Sequence, residues 1–207
     1  AKDIAKNKRV LLFILAYFFY IDGVNTIISI STSYGSKLNL DNVGMILALL
    51  LTQIVAVPFS ILFGKLAERL GSVRVLLGAV CIYFLVCLVG FFMGFNIEQN
   101  PGSQQALQFS LILFWCMAFL VGTVQGGIQA ISRSYFGKLI PPERSNEYFG
   151  FFDIFGKFAA VIGPLLVAAF TQMTGRDSIG VISLALLFAV GGCILFFGRK
   201  LFTDRAA

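Results

Sequence analysis

YFGFFDIFGKFAAVIGP, residues 148–164, is an apolar stretch carrying one carboxylate, Asp153, and one ammonium, Lys157. Four residues apart, these two project from one face of a helix. Phe149, Phe151, Phe152, Ile154, Phe155, Phe158, Val161 and Ile162 surround them and suit lipid or a dry protein interior. A charge at the centre of a bilayer costs roughly 2.5–3.5 kcal/mol even on insertion scales, so both groups persist only beside a polar space or one another. The stretch reads as a membrane helix with a polar task.

The rest of the chain agrees. Of 207 residues, 58% are hydrophobic and 13% charged, with 23 Phe and no His; a soluble domain carries about a quarter charged residues. Six apolar segments follow, at about 10–33, 42–63, 75–95, 107–134, 148–170 and 179–198. Each is long enough to cross a hydrocarbon core about 30 Å thick at about 1.5 Å per residue. The expected fold is an all-α membrane protein with six transmembrane helices.

Charge placement gives the orientation. With six spans, the N-terminus, the loops after spans two and four, and the C-terminus share one side. Of the 16 Lys and Arg residues, all except Lys37, Arg176 and the intramembrane Lys157 fall on that side, among them Lys2, Lys6, Lys65, Lys138, Lys200 and Arg205. Positive residues stay on the cytoplasmic side, so both termini are expected in the cytoplasm. The net charge of +6 is then a topology signal, and the expected contact is lipid, with no nucleic acid.

Cys81, Cys87, Cys116 and Cys193 all lie in apolar spans without CxxC spacing. Without histidine they read as reduced core thiols, and neither metal nor cofactor is expected. HExxH, GxSxG and nucleotide-loop patterns are missing from the sequence, so an enzyme is not expected. The one enzymatic alternative is an intramembrane aspartyl pair of Asp22 with Asp153.

Polar residues populate four of the six spans. Span one carries Asp22, Asn25, Thr26, Ser29 and Ser33 as a stripe, and span two carries Gln53 and Ser60, with Pro58 between them. Span four places Gln125, Gln129 and Arg133 at spacings of four, beside a small-residue stripe of Gly122, Gly126 and Ala130 that lets helices approach closely. Span five holds Asp153 and Lys157, whereas spans three and six carry no charge and no amide side chain. Two accounts of Asp22, Asn25, Gln53, Gln125, Gln129, Arg133, Asp153 and Lys157 stand open. In one, they line a polar seam in which Asp22 or Asp153 takes a cation or proton and Lys157 or Arg133 holds an anionic group. In the other, Asp153 and Lys157 neutralise each other, the amides hydrogen-bond between helices, and Arg133 snorkels to headgroups.

The turn GKLAERLGSVR, residues 64–74, resembles the cytoplasmic signature of the major facilitator superfamily, G-x-L-A-D-R-x-G-R-[RK]. Glu68 stands at the Asp position, and Ser72 and Val73 replace basic ones. The resemblance implies that Gly64, Glu68, Arg69, Gly71 and Arg74 brace transporter halves on the cytoplasmic side. YIDGVNTI (20–27), GGIQAISRSYF (126–136), NEYFGFFDIFGKF (146–158) and Gly163-Pro164 carry a closer likeness. Together they resemble the C-terminal half of the bacterial "unknown major facilitator" transporters, relatives of fungal autophagy-related vacuolar amino-acid effluxers. That resemblance implies two inverted three-helix repeats, with spans one, two, four and five bordering a central cavity and spans three and six facing outward. It implies secondary transport of a small polar solute, an amino acid by analogy, by alternating access, with proton coupling through Asp22 as an added expectation. It also implies a second six-helix bundle, either an N-terminal half lying outside this chain or a second copy. The alternative is a non-transporting membrane assembly or receptor module.

Overall fold

A computed structural model describes residues 7–203, and Lys2, Lys6 and Arg205 of the charge argument lie outside the described residues. Among the described residues the regular structure is entirely helical: α1 (Lys8–Lys37), α2 (Asn42–Leu70), α3 (Ser72–Gln99), α4 (Gln104–Leu139), a 3-10 turn (Pro142–Arg144), α5 (Ser145–Phe158), α6 (Ile162–Thr174), α7 (Asp177–Ser183) and α8 (Ala185–Thr203). In hydrocarbon every backbone N–H and C=O needs an internal partner, and a helix supplies one locally. Six stretches are long and apolar enough to span a membrane: α1 to α4, then α5 with α6, then α7 with α8.

Local chemistry sets where the helices begin. Asp41 accepts a hydrogen bond from Gly44 N at 2.7 Å to start α2, and Ser103 accepts one from Ala106 N at 3.3 Å to start α4. Gly71, at φ 89°, is the single residue joining α2 to α3. That left-handed backbone is open to glycine and strained for other residues. No side-chain hydrogen bond caps the start of α5 among the described residues; Arg144 pairs with Glu147 at 2.7 Å in its first turn.

Packing reproduces an inverted repeat. Span four packs on spans two and three, as span one packs on spans five and six, and spans three and six meet across the centre. The α2–α4 contact is close because Gly122 and Gly126 face α2; a methyl at Gly122 would lie 2.9 Å from the Thr52 carbonyl oxygen. Thr52 ties the same place, donating to Ala118 O at 3.2 Å. Between α1 and α8, Gly191 leaves room for the Tyr20 backbone, and Gly23 for the Phe188 ring, which stacks on Tyr83 at 5.3 Å. Tyr20 reaches across to Ser132 on α4 at 2.7 Å. This is one six-helix half of a major facilitator fold. Its span five is the least buried and span two the next.

Span five departs from expectation. The apolar run predicts one continuous helix over 148–170; the chain instead breaks at residues 159–161 into α5 and α6. Pro164 stands at the third position of α6, where a missing N–H costs no helical hydrogen bond.

Candidate functional site

The break in span five is where Asp22 goes. The Asp22 side chain is fully buried, and Gly163 N donates to both its oxygens, at 3.0 and 3.1 Å. Thr26 Oγ1 donates to Oδ1 at 3.4 Å. The helix α6 has no side-chain cap of its own. A carboxylate from α1 therefore satisfies and electrostatically matches the positive end of α6. Gly163 must be small here, because a methyl would lie 2.8 Å from Thr26 Cβ and 3.0 Å from Asp22 Oδ1. Asp22 is thus an interior clamp between spans one and five, away from the exposed polar face.

Among the described residues the pair of Asp153 with Lys157, one of the two accounts left open, is not made. Asp153 binds Arg133 of α4 instead, through Nη2 contacts of 3.1 Å to both carboxylate oxygens. Lys157 is exposed, and among the described residues no ion pair or side-chain hydrogen bond holds it. Arg133 reaches across to α5 rather than only toward headgroups, and its guanidinium lies 5.8 Å from the Phe149 ring centre. Two aromatic stacks support the arrangement from behind. Tyr17 of α1 stacks on Phe152 at 4.1 Å, and Phe136 of α4 stacks on the same ring at 4.4 Å. Sequence reasoning missed Tyr17, which sits in the run Tyr17 to Tyr20 with nothing to distinguish it from its neighbours.

The amides form a separate group. Gln53 of α2 and Gln125 of α4 line a cavity of about 50 Å³ with Ile27, Ser31, Thr52 and Met117. Among the described residues no donor meets Gln125 Oε1, which is buried there. Gln129 is exposed one turn further along α4, and Asn25 is half-buried. The single seam expected to enclose all eight residues is therefore split. Asp22 is inside the bundle, Gln53 and Gln125 flank a small cavity, and Arg133, Asp153, Lys157 and Gln129 lie on the accessible face.

A larger cleft, about 330 Å³, opens between α1 and α6 near the opposite ends of the spans, beside the Lys37–Asp177 pair at 2.9 Å. There Glu98 accepts from Arg176 Nε at 2.9 Å, Ser178 N at 2.9 Å and Ser178 Oγ at 2.7 Å, fastening α3 to the start of α7. Size ranks this cleft above the amide cavity, yet its charges are already mutually paired. Its walls suit structural closure.

The turn motif is laid out differently again. Gly64, Glu68, Arg69, Gly71 and Arg74 are exposed at the junction of α2 and α3. Among the described residues no salt bridge or side-chain hydrogen bond holds Glu68, Arg69 or Arg74. Chemically, the site offers a guanidinium–carboxylate pair and a spare ammonium on an accessible face. Among the described residues no group of His, Cys, Asp and Glu is placed to hold a metal ion.

Comparison with known proteins gives the following. The chain matches the family described as "Vacuole effluxer Atg22 like" over residues 1–200. It is 48% identical over 196 residues to the uncharacterized MFS-type transporter YxiO of Bacillus subtilis (strain 168), covering 95% of this chain and 42% of that protein. Autophagy-related protein 22 of Eremothecium gossypii is 29% identical over 174 residues, covering 81% of this chain and 32% of that protein. Its namesake in Coccidioides immitis (strain RS) is 27% identical over 196 residues, covering 91% and 32%. The chain spans less than half the length of these relatives. No solved structure matches it.

Proposed function

Because this chain belongs to the Atg22-like family of vacuole effluxers, we propose that it is one six-helix bundle of a secondary transporter. It moves a small polar solute, an amino acid as first candidate, across a bacterial plasma membrane with both termini cytoplasmic. A second bundle, from further chain or a second copy, completes the pathway, and the two rock about the polar face between them. The observation that carries this reading is the accessible cluster of Arg133, Asp153 and Lys157 on a bundle that also exposes many large apolar side chains, Ile54, Phe92 and Phe197 among them. Spans two and five, the least buried, flank the face a second bundle would cover.

In this reading Lys157 and Arg133 hold an anionic group of the solute. Asp153 exchanges Arg133 for a cationic group or a proton, a role the accessible Asp153 fits better than the enclosed Asp22. Glu68, Arg69 and Arg74, unpartnered at the turn among the described residues, engage the second bundle on the cytoplasmic side. The test is uptake of radiolabelled amino acids by proteoliposomes containing the full-length protein, with and without a pH gradient. Saturable uptake above empty liposomes, lost in Asp153→Asn and Arg133→Gln, is expected. Uptake equal to that of empty liposomes for every solute would overturn the reading.

A further inference from the structure

We propose that span five works as two separately anchored halves, with Asp22 as the positioning residue that fixes the outer half to span one. The inner half, which carries Asp153 and Lys157, is then free to shift without moving the outer half. The purpose of such a span rests on the transporter reading above; the anchoring itself does not.

Three observations on the structure converge. First, the helix is interrupted at residues 159–161, so α5 and α6 do not share a continuous hydrogen-bond ladder. A continuous helix transmits displacement along its axis, whereas an interruption lets the two pieces turn independently. Second, the halves are held by different chemistry. The α6 end is gripped by the Asp22 carboxylate through two contacts to Gly163 N, buried inside the bundle where such a bond is strong. By contrast, α5 is held by the ring stacks of Phe152 with Tyr17 and Phe136, and by the Arg133–Asp153 pair. That pair is solvent-exposed on both sides and readily exchanged for other partners. Third, the residues at the grip suit this role and little else. Gly163 admits no methyl against Thr26 and Asp22, and Pro164 has no N–H to spend on a competing partner.

Along α1 the anchor lies between Tyr17, which supports the Arg133–Asp153 pair from behind, and Ile27, which lines the amide cavity. A solute or proton that separates Arg133 from Asp153 would loosen α5, leaving it only the Phe152 stacks, while α6 keeps its seat on α1. Asp22 thereby sets where the inner half pivots, without touching the solute.

Pulsed electron–electron resonance on the full-length protein, with Cys81, Cys87, Cys116 and Cys193 replaced by serine, separates the two halves. One label pair, Val43→Cys with Met173→Cys, reports α6 against α2; a second, Leu66→Cys with Gly150→Cys, reports α5 against α2. Asp22→Leu and Gly163→Ala are expected to at least double the width of the first distance distribution and leave the second unchanged. Asp22→Asn, which keeps one acceptor oxygen for Gly163 N, should fall between parent and Asp22→Leu. Arg133→Gln should broaden the second pair alone. A role in packing only would broaden both pairs together, and that result overturns the proposal. So does a first pair that stays narrow in both Asp22→Leu and Gly163→Ala; should Asp22→Leu fail to fold, Asp22→Asn and Gly163→Ala decide. Solute flux measured on the parent is scored separately, so an inactive parent sinks the transporter reading while the label distances still judge the anchor.

Discussion

Arg133 and Asp153 meet across 3.1 Å between α4 and α5, both more than two-fifths exposed, while Lys157, one turn beyond Asp153, is left without them. An ion pair so open to solvent contributes little to stability, about 0.2–1 kcal/mol. Arg133→Gln and Asp153→Asn should therefore leave the melting temperature of the purified protein within a few degrees of the parent. Solute flux should drop about tenfold or more, equivalent to about 1.4 kcal/mol of lost interaction. Calorimetry and uptake on the same preparations check both halves of this statement.

Gly163→Ala and Gly150→Ala should differ in sign. At Gly163 a methyl collides with Thr26 and approaches Asp22 Oδ1, and overpacking of this kind costs about 1–3 kcal/mol. At Gly150, on α5, a methyl meets nothing within 4 Å, and replacing a helical glycine by alanine gains about 0.5–1 kcal/mol. Thermal unfolding in detergent reads both changes, and equal effects would contradict the packing described.

Gly122→Leu should separate α2 from α4. Even a methyl would approach the Thr52 carbonyl oxygen at 2.9 Å, and backbone yields less readily than a side-chain tip. The bond from Thr52 Oγ1 to Ala118 O would be lost with it. Lower thermal stability and faster proteolysis between α2 and α4 are expected, with a loss of about 1–3 kcal/mol.

The apolar runs made the six spans legible, because length and composition decide whether a helix can cross a bilayer. The stripe Gly122–Gly126 was legible too, since small residues at spacing four have few other uses in a membrane helix. The break at 159–161 was not. Gly163-Pro164 reads equally well as punctuation after a long helix or as the opening of a new one, and only the distant Asp22 decides between them. Helical spacing likewise pairs Asp153 with Lys157 as naturally as with nothing. The true partner, Arg133, comes from another helix, and no local pattern encodes that reach. Tyr17 escaped notice because its neighbours are aromatic as well.

Glu98→Ala should loosen the end of the bundle away from the basic turns. It removes the acceptor for Arg176 Nε, Ser178 N and Ser178 Oγ together. Hydrogen bonds to a charged group contribute about 1.5–3 kcal/mol each, net of the exchange with water. Amide exchange over α7 should quicken by an order of magnitude or more, with α4 unaffected.

The grip of Asp22 on Gly163 joins residues 141 apart in sequence. At about 5–20 residues per second of synthesis, roughly 7–28 s separate the emergence of the carboxylate from that of its partner. Neither half of span five, 14 and 13 residues long, reaches across the hydrocarbon by itself. During biogenesis span one must therefore carry into the insertion machinery an acid met only by Thr26 of its own helix, and the fifth segment settles when that acid receives it.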